Sequence, residues 1–128
     1  MKRIYLIVMG LLATLLGACA GNQNIESVNA EAFKKEISAD DVQLIDVRTP
    51  TEFTNGHIEG AINLDIKRSD FVDEANKTLD KTLKVYLYCR SGARSMQAAN
   101  KLAKEGYQIV NLKGGIIEWE GEGLPVVR

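Results

Sequence analysis

The sequence predicts an α/β fold in which a mainly parallel sheet is covered by helices on both faces. Short runs rich in β-branched and aromatic residues alternate along the chain with segments whose apolar residues recur at helical spacing. The chain has 128 residues, which is near the usual size of one domain built from strand–helix–strand units. In such sheets ligands bind at the carboxyl ends of the strands, so we expect the functional residues in the loops that follow them.

The first half of the domain is predicted to contain three strands and three helices. The short helix among them is the most clearly marked. Thr49 and Glu52 have the spacing of a capping box, and Pro50 suits the first helical position, so helix initiation accounts for these residues. The predicted elements are a strand at 27–28, a helix at 30–37, a strand at 42–47, a helix at 50–54, a strand at 61–62 and a helix at 71–79.

The second half is predicted to contain two strands and two helices. The run VYLY at 85–88 is typical of a buried strand. Met96, Ala99 and Leu102 then recur at helical spacing, and Gly106 follows as a stop. The predicted elements are a strand at 84–88, a helix at 95–105, a strand at 108–111 and a helix at 115–120.

Residues 89–95, CRSGARS, connect the strand at 84–88 to the helix that follows it. The amides that open a helix are unpaired donors at the positive end of a dipole, and they favour an anion. A cysteine thiolate is such an anion, and N–H groups together with nearby guanidinium groups lower a thiol pKa without an adjacent base. We therefore expect an exposed thiolate at Cys89, encircled by peptide N–H groups. The alternative is an inert cysteine on a buried strand.

Three blocks of the sequence resemble the rhodanese family, sulfurtransferases that carry sulfane sulfur as a cysteine persulfide. The similarity spans residues 28–127, and its blocks occur in the family's order. They are the active-site loop at 89–95, the stretches DVRTPTEF at 46–53 and GHIEGAINL at 56–64, and Gly114-Gly115 with Trp119 near the C-terminus.

The resemblance implies a catalytic Cys89 and a loop that binds a small anionic sulfur donor such as thiosulfate. Cys89 takes the outer sulfur, sulfite leaves, and a thiol, cyanide or a protein then accepts the sulfur. The reaction needs no cofactor, and no metal site is predicted. Gly92 suits a tight turn around a bound atom, and Arg90 and Arg94 suit an oxyanion. The predicted substrate-binding residues are Arg90, Ser91, Gly92, Ala93, Arg94 and Ser95.

Two other functions are alternatives to sulfur transfer. One is a non-catalytic rhodanese-like binding module, although retention of Cys89 argues against it. The other is phosphatase or arsenate reductase chemistry. The loop has six residues from Cys89 to Arg94, which resembles the sulfur-transferring branch rather than the related enzymes with a longer loop. Tyrosine phosphatases would have arginine where Ser95 stands and histidine where Tyr88 stands.

Two further residues are candidates for supporting roles. Asp46 and Arg48 lie at the end of another strand, on the same rim, and we expect them to pair with each other or to brace the loop rather than to react. His57 is the only histidine, but its place in the motif resembles a structural position, and sulfur transfer needs little proton movement. Trp119 is predicted to belong to the core rather than to a substrate wall.

The N-terminus resembles a bacterial lipoprotein signal. A basic start at Lys2-Arg3 precedes a mainly apolar run of thirteen residues at 4–16 and small residues before Cys19. The resemblance implies cleavage after residue 18, acylation of Cys19 and a polar tether at 20–27 before the domain at 28–128. An uncleaved membrane span is the alternative, but the run is shorter than the roughly 20 residues that a bilayer requires.

The lipoprotein signal implies a location in the bacterial cell envelope. Ala20 rather than aspartate follows Cys19, which by the sorting pattern of enteric bacteria implies the outer membrane, with the domain facing the periplasm. Acylation of Cys19 would leave Cys89 as the single thiol. The net charge is −1, and removal of Lys2 and Arg3 leaves −3, so nothing indicates a nucleic-acid-binding surface.

Overall fold

The computed structural model describes residues 24–128. The predicted signal segment, Cys19 and the first part of the tether lie outside the described residues. Within 24–128, no helix is long and apolar enough to cross a membrane.

Strands and helices alternate along the described chain. Their order is β1 (Ile25–Val28), α1 (Ala30–Ile37), β2 (Gln43–Asp46), α2 (Pro50–Thr54), β3 (Ile62–Asn63), α3 (Phe71–Thr78), β4 (Val85–Tyr88), α4 (Ala93–Lys104), β5 (Ile109–Leu112) and α5 (Gly115–Gly121).

The five strands form one sheet in the order β1-β5-β4-β2-β3, and every strand pair is parallel. This arrangement confirms the predicted α/β fold. In the central register Asp46 lies opposite Tyr88, so β2 and β4 end side by side. The loops that follow these two strands therefore begin at the same edge of the sheet.

Two hydrophobic cores lie on opposite faces of the sheet. On one face, α3 and α4 bury Phe71, Ala99 and Leu102 against Leu87 of β4. On the other face, α1 and α5 bury Phe33 and Trp119. All four residues of β4 and of β5 are buried, as expected for strands covered on both sides. The helices on both faces hold the central strands, and hence the loops at their carboxyl ends, in place.

Most predicted elements differ from the observed ones by one or two residues at an end, while α1 and α2 have the predicted bounds. The largest functional difference concerns α4, which we expected to begin at Ser95 and which begins at Ala93. Gly92 adopts a left-handed conformation, with φ of +109°, and turns the chain directly into the helix. Arg94 and Ser95 consequently belong to the first turn of α4. The predicted capping box of α2 is confirmed.

Candidate active site

Cys89 follows β4 directly, at the carboxyl end of the central strand. The residue is 1 % exposed and packs in the hydrophobic core beneath α4. Our expectation of an exposed sulfur is therefore wrong. The strand runs straight into the buried layer before the chain turns at Gly92, so the side chain of Cys89 remains inside that layer while the loop closes over it.

The sulfur of Cys89 nevertheless has polar partners on its loop side. The amide of Gly92 donates a hydrogen bond to Sγ at 3.0 Å, and Ser95 Oγ lies 3.4 Å from Sγ. Burial raises the pKa of the thiol, but hydrogen bonds from the Ser95 hydroxyl and from the loop amides, including those of Gly92 and Ser91, outweigh it and lower the pKa below its ordinary value. The loop therefore stabilises a thiolate in a site with little solvent.

Ser95 can serve both protonation states of Cys89. In the structure its hydroxyl donates to the Gly92 carbonyl at 3.1 Å and accepts from the thiol. A hydroxyl rotates freely about its C–O bond, so it can donate to Sγ once the thiol is ionised. Ser95 is fully buried, which excludes solvent competition for this contact.

The first amides of α5 hold the carbonyls of the loop. Ile116 N donates to Cys89 O at 2.9 Å, and Ile117 N donates to Arg90 O at 3.1 Å. In a planar trans peptide the N–H points away from the C=O. With the carbonyl of Arg90 bound to α5, the amide of Ser91 in the same peptide is turned to the opposite side, where it contributes to the hydrogen bonding of the sulfur.

Gly115 lets α5 approach the loop this closely. Its φ is +64°, and a Cβ built there would collide with Arg90 O. Gly92 is similarly pressed against Lys113 O. The two loops after β4 and β5 therefore interlock backbone to backbone, which only residues without a side chain permit.

Arg94 is bound by a carboxylate rather than free above the loop. Its Nη1 and Nη2 donate to the two oxygens of Glu52 at 2.7 and 2.9 Å. The sequence does not predict this pair, because capping of α2 is sufficient to explain Glu52. A bidentate pair uses two of the five guanidinium N–H groups, so three N–H groups of Arg94 are left for other acceptors.

Asp46 and Arg48 form a buried ion pair beside the loop. Arg48 Nη2 donates to Asp46 Oδ2 at 2.7 Å and to Gly56 O at 2.7 Å, while Nε donates to both carboxylate oxygens. The side chains are 0 % and 7 % exposed for Asp46 and Arg48. Arg48 lies over the ring of Tyr88, whose hydroxyl accepts a hydrogen bond from Ile58 N. The pair thus braces the segment after β2 against β4.

His57 and Trp119 make structural contacts. The ring of His57 stacks on Phe53 at 3.7 Å between centroids, and Nδ1 lies 2.9 Å from Phe53 O. Trp119 is buried among the residues packed between the sheet and α1, and its Nε1 donates to Pro125 O.

Arg90 lines a cleft beside the loop. The cleft has a volume of about 310 Å³, and its other charged lining residues are Arg48, Glu52, Glu120 and Arg128. Across residues 24–128, no carboxylate forms an ion pair with Arg90. Because the guanidinium is always charged, Arg90 presents an uncompensated positive charge beside the loop.

Comparison with known proteins gives one consistent family. The pattern of the Rhodanese-like domain matches residues 29–122. The chain is 37% identical over 105 residues to a sulfurtransferase of Allochromatium vinosum, covering 80% of this chain and 95% of that protein.

Two solved structures are similar in fold. A rhodanese-related protein of Thermoplasma volcanium has a TM-score of 0.70 and 37% identity, with 80% of this chain and 97% of that chain covered. The polysulfide-sulfur transferase homodimer of Wolinella succinogenes has a TM-score of 0.67 and 27% identity, with 90% and 88% covered.

We predict that Gly115→Ala displaces the loop and weakens the hydrogen bonds from its amides to Cys89 Sγ. The added methyl group collides with Arg90 O in a left-handed conformation, so we expect a loss of about 1–3 kcal/mol in the free energy of unfolding and a higher pKa of Cys89. Chemical denaturation and the pH dependence of alkylation measure the two effects. Gly121→Ala is the matched control, since nothing lies within 4 Å of its added Cβ. Equal behaviour of the two variants would contradict the interlocked geometry.

We also predict that Ser95→Ala raises the pKa of Cys89 by about one unit, since a hydrogen bond to a charged group contributes about 1.5 kcal/mol. The measurement is the rate of alkylation by iodoacetamide as a function of pH. Ser91→Ala is the control, because it keeps the amide of residue 91. An identical alkylation profile for Ser95→Ala and the unmodified protein would show that the amides alone set the pKa.

The lowered pKa of Cys89 also makes the stability of the fold depend on pH. The folded thiol has the lower pKa, so between that pKa and about 8.5 the unfolded chain binds more protons. The free energy of unfolding therefore rises with pH across this window, and it rises less in Ser95→Ala.

Proposed function

The chain belongs to the rhodanese-like family, and on this basis we propose that it is a thiosulfate sulfurtransferase that carries sulfane sulfur as a persulfide on Cys89. Relatives named as sulfurtransferases support sulfur transfer as its function. The single observation that supports the persulfide is the contact set of the sulfur: Gly92 N at 3.0 Å, Ser95 Oγ at 3.4 Å and a lowered pKa.

In the first step, the Cys89 thiolate attacks the outer sulfur of thiosulfate. A new S–S bond forms to Sγ, the bond between the two sulfurs of thiosulfate breaks, and its electron pair leaves with sulfite. The thiolate and the thiosulfate dianion enter with three negative charges, and the persulfide anion and sulfite leave with the same three. No proton needs to move, so this step requires no general base.

The loop has separate groups for the two parts of the donor. The amides directed at Sγ stabilise the negative sulfur, Arg90 lines the cleft beside the loop, and Arg94 lies close enough for its charge to interact with that of Cys89, so both cations would attract the sulfonate end. Donors fixed before the reaction stabilise charge without reorganising during it. Arg90 attracts the sulfonate more strongly than Arg94 does, because the charge of Arg94 is already paired with Glu52.

In the second step, a nucleophile attacks the outer sulfur of the persulfide and the electron pair of the S–S bond returns to Sγ. An S–S bond is about 2 Å long, so the transferred atom lies about that much farther from the core than Sγ does. This extension offsets the burial of Cys89, because the reacting atom of the loaded enzyme is the outer sulfur. Cyanide, a thiol or a protein thiol is the expected acceptor.

We predict that residues 20–128 form thiocyanate from thiosulfate and cyanide and that Cys89→Ser abolishes the product. The serine oxygen does not form the persulfide, while its size leaves the loop intact. The assay is the colour of the iron thiocyanate complex, and mass spectrometry after thiosulfate alone detects the sulfur added to Cys89. Thiocyanate formed equally by Cys89→Ser would contradict the mechanism, and no product from either protein would favour a binding module. Hydrolysis of an aryl phosphate, tested alongside, would instead indicate phosphatase chemistry.

We further propose that the chain is a lipoprotein anchored through Cys19 to the outer membrane, with the domain in the periplasm. The support is the sequence of residues 1–20 alone. Two or more acyl chains hold a protein stably at a membrane, whereas one gives marginal binding. A periplasmic enzyme would take its sulfur donor from outside the cytoplasm.

The anchor predicts that the full chain, expressed in a bacterium, incorporates labelled palmitate and sediments with membranes. Cys19→Ser removes the acylated sulfur, so it should lose the label and accumulate as the uncleaved precursor. Cys89→Ser is the matched control and should keep both label and location. Labelling that persists in Cys19→Ser, or a labelled product lost in Cys89→Ser, would contradict anchoring at residue 19.

A further inference from the structure

Glu52 has two sets of partners that belong to different parts of the fold. Within α2 its Oε1 accepts hydrogen bonds from Thr49 N at 3.2 Å and Thr49 Oγ1 at 3.0 Å. Across to α4, both of its oxygens accept from Arg94. The carboxylate therefore connects the loop after β2 to the first turn of the helix that follows Cys89.

The cap and the ion pair make different demands on residue 52. A capping box accepts glutamine as well as glutamate, since only an acceptor oxygen is required. The helix cap therefore does not explain a negative charge at this position. The charge acts on Arg94, which lies next to Ser95 and hence beside the residue whose hydroxyl lies 3.4 Å from the sulfur.

The pair sets the net charge that an incoming donor meets. Arg90 and Arg94 would together present two positive charges at the loop, but Glu52 compensates one of them. The side chains of the pair are a quarter exposed, so its charges are only partly screened by solvent. With Arg94 neutralised by Glu52, Arg90 is the cation of the loop that forms no ion pair among the described residues.

We propose that Glu52 is a specificity-determining residue: by compensating Arg94 it lowers the enzyme's preference for doubly charged sulfur donors over singly charged ones. The inference rests on the proposed sulfurtransferase function. Removing the carboxylate charge favours a dianion more than a monoanion, since Coulomb energy is proportional to the charge of the donor. The Arg94 guanidinium holds the pKa of Glu52 at about 2, so the effect is constant at any pH at which the enzyme would work.

Two donors that differ in charge but share the reacting atom give the test. Thiosulfate is a dianion, and methanethiosulfonate is a monoanion in which a methyl group replaces one oxygen. With the second donor, Cys89 thiolate forms an S–S bond to the terminal sulfur and the S–S bond of the donor breaks. Methanesulfinate leaves with the electron pair, so two negative charges enter and two leave.

We expect Glu52→Gln to raise the ratio of kcat/KM for thiosulfate to kcat/KM for methanethiosulfonate by about three- to tenfold at low ionic strength, and less at high salt. Glutamine keeps the capping box, so α2 is preserved. Thr49→Ala is the matched control: it removes the side-chain half of the cap and leaves the ion pair, so it should lower thermal stability without changing the donor ratio. An unchanged or lower ratio in Glu52→Gln, or an equal change in Thr49→Ala, would overturn the proposal.

A second measurement separates this inference from the proposed function. Iodoacetate and iodoacetamide alkylate Cys89 and differ by one negative charge, and neither requires sulfur transfer. Glu52→Gln should raise the ratio of the alkylation rate with iodoacetate to the rate with iodoacetamide by about threefold. If no thiocyanate forms from either donor but this ratio rises, the sulfurtransferase function fails and the charge role of Glu52 stands. If thiocyanate forms and neither ratio changes, the function stands and the role of Glu52 is refuted.

Discussion

The structure of the site depends on where the loop carbonyls are bound. Two amides of α5 donate hydrogen bonds to Cys89 O and Arg90 O. Because a peptide is planar, binding of the Arg90 carbonyl directs the Ser91 N–H to the inside of the loop. A sulfur surrounded by amides is therefore a consequence of a backbone contact between two loops. That contact in turn requires a glycine at position 115, where any side chain would collide with the Arg90 carbonyl.

This constraint explains how a buried thiol can have a lowered pKa. Burial alone disfavours the thiolate, and a cysteine on a core strand without donors would be inert. At Cys89 the donors come from the loop itself, so the same residue faces hydrocarbon on its strand side and hydrogen-bond donors on the other. Exclusion of water strengthens those hydrogen bonds, since an electrostatic contact is stronger in a low dielectric. Burial and reactivity therefore do not conflict at this position.

The sequence was sufficient to predict the elements of the fold because each has a local signal, such as the capping box of Thr49 and Glu52 or the stop at Gly106. It also placed Cys89 at the end of a buried strand. It did not reveal the pairing of Glu52 with Arg94, because these residues are 42 positions apart and meet only through the adjacency of β2 and β4. The burial of the sulfur was missed for a similar reason, since it depends on how α4 packs over the loop.

The Glu52–Arg94 pair fixes the positions of two charged side chains and contributes little to the stability of the fold. Partly exposed ion pairs contribute little when two long side chains must be ordered to form them. Here the helix cap already orders Glu52, and Arg94 projects from the first turn of a helix, so less conformational entropy is lost on pairing. The buried Asp46–Arg48 pair further fixes the segment between β2 and α2, because Arg48 also donates to the Gly56 carbonyl. Both loops at the edge of the sheet are thus held by contacts that do not involve the sulfur of Cys89, which leaves the sulfur free to change its bonding partner while the charges around it stay in place.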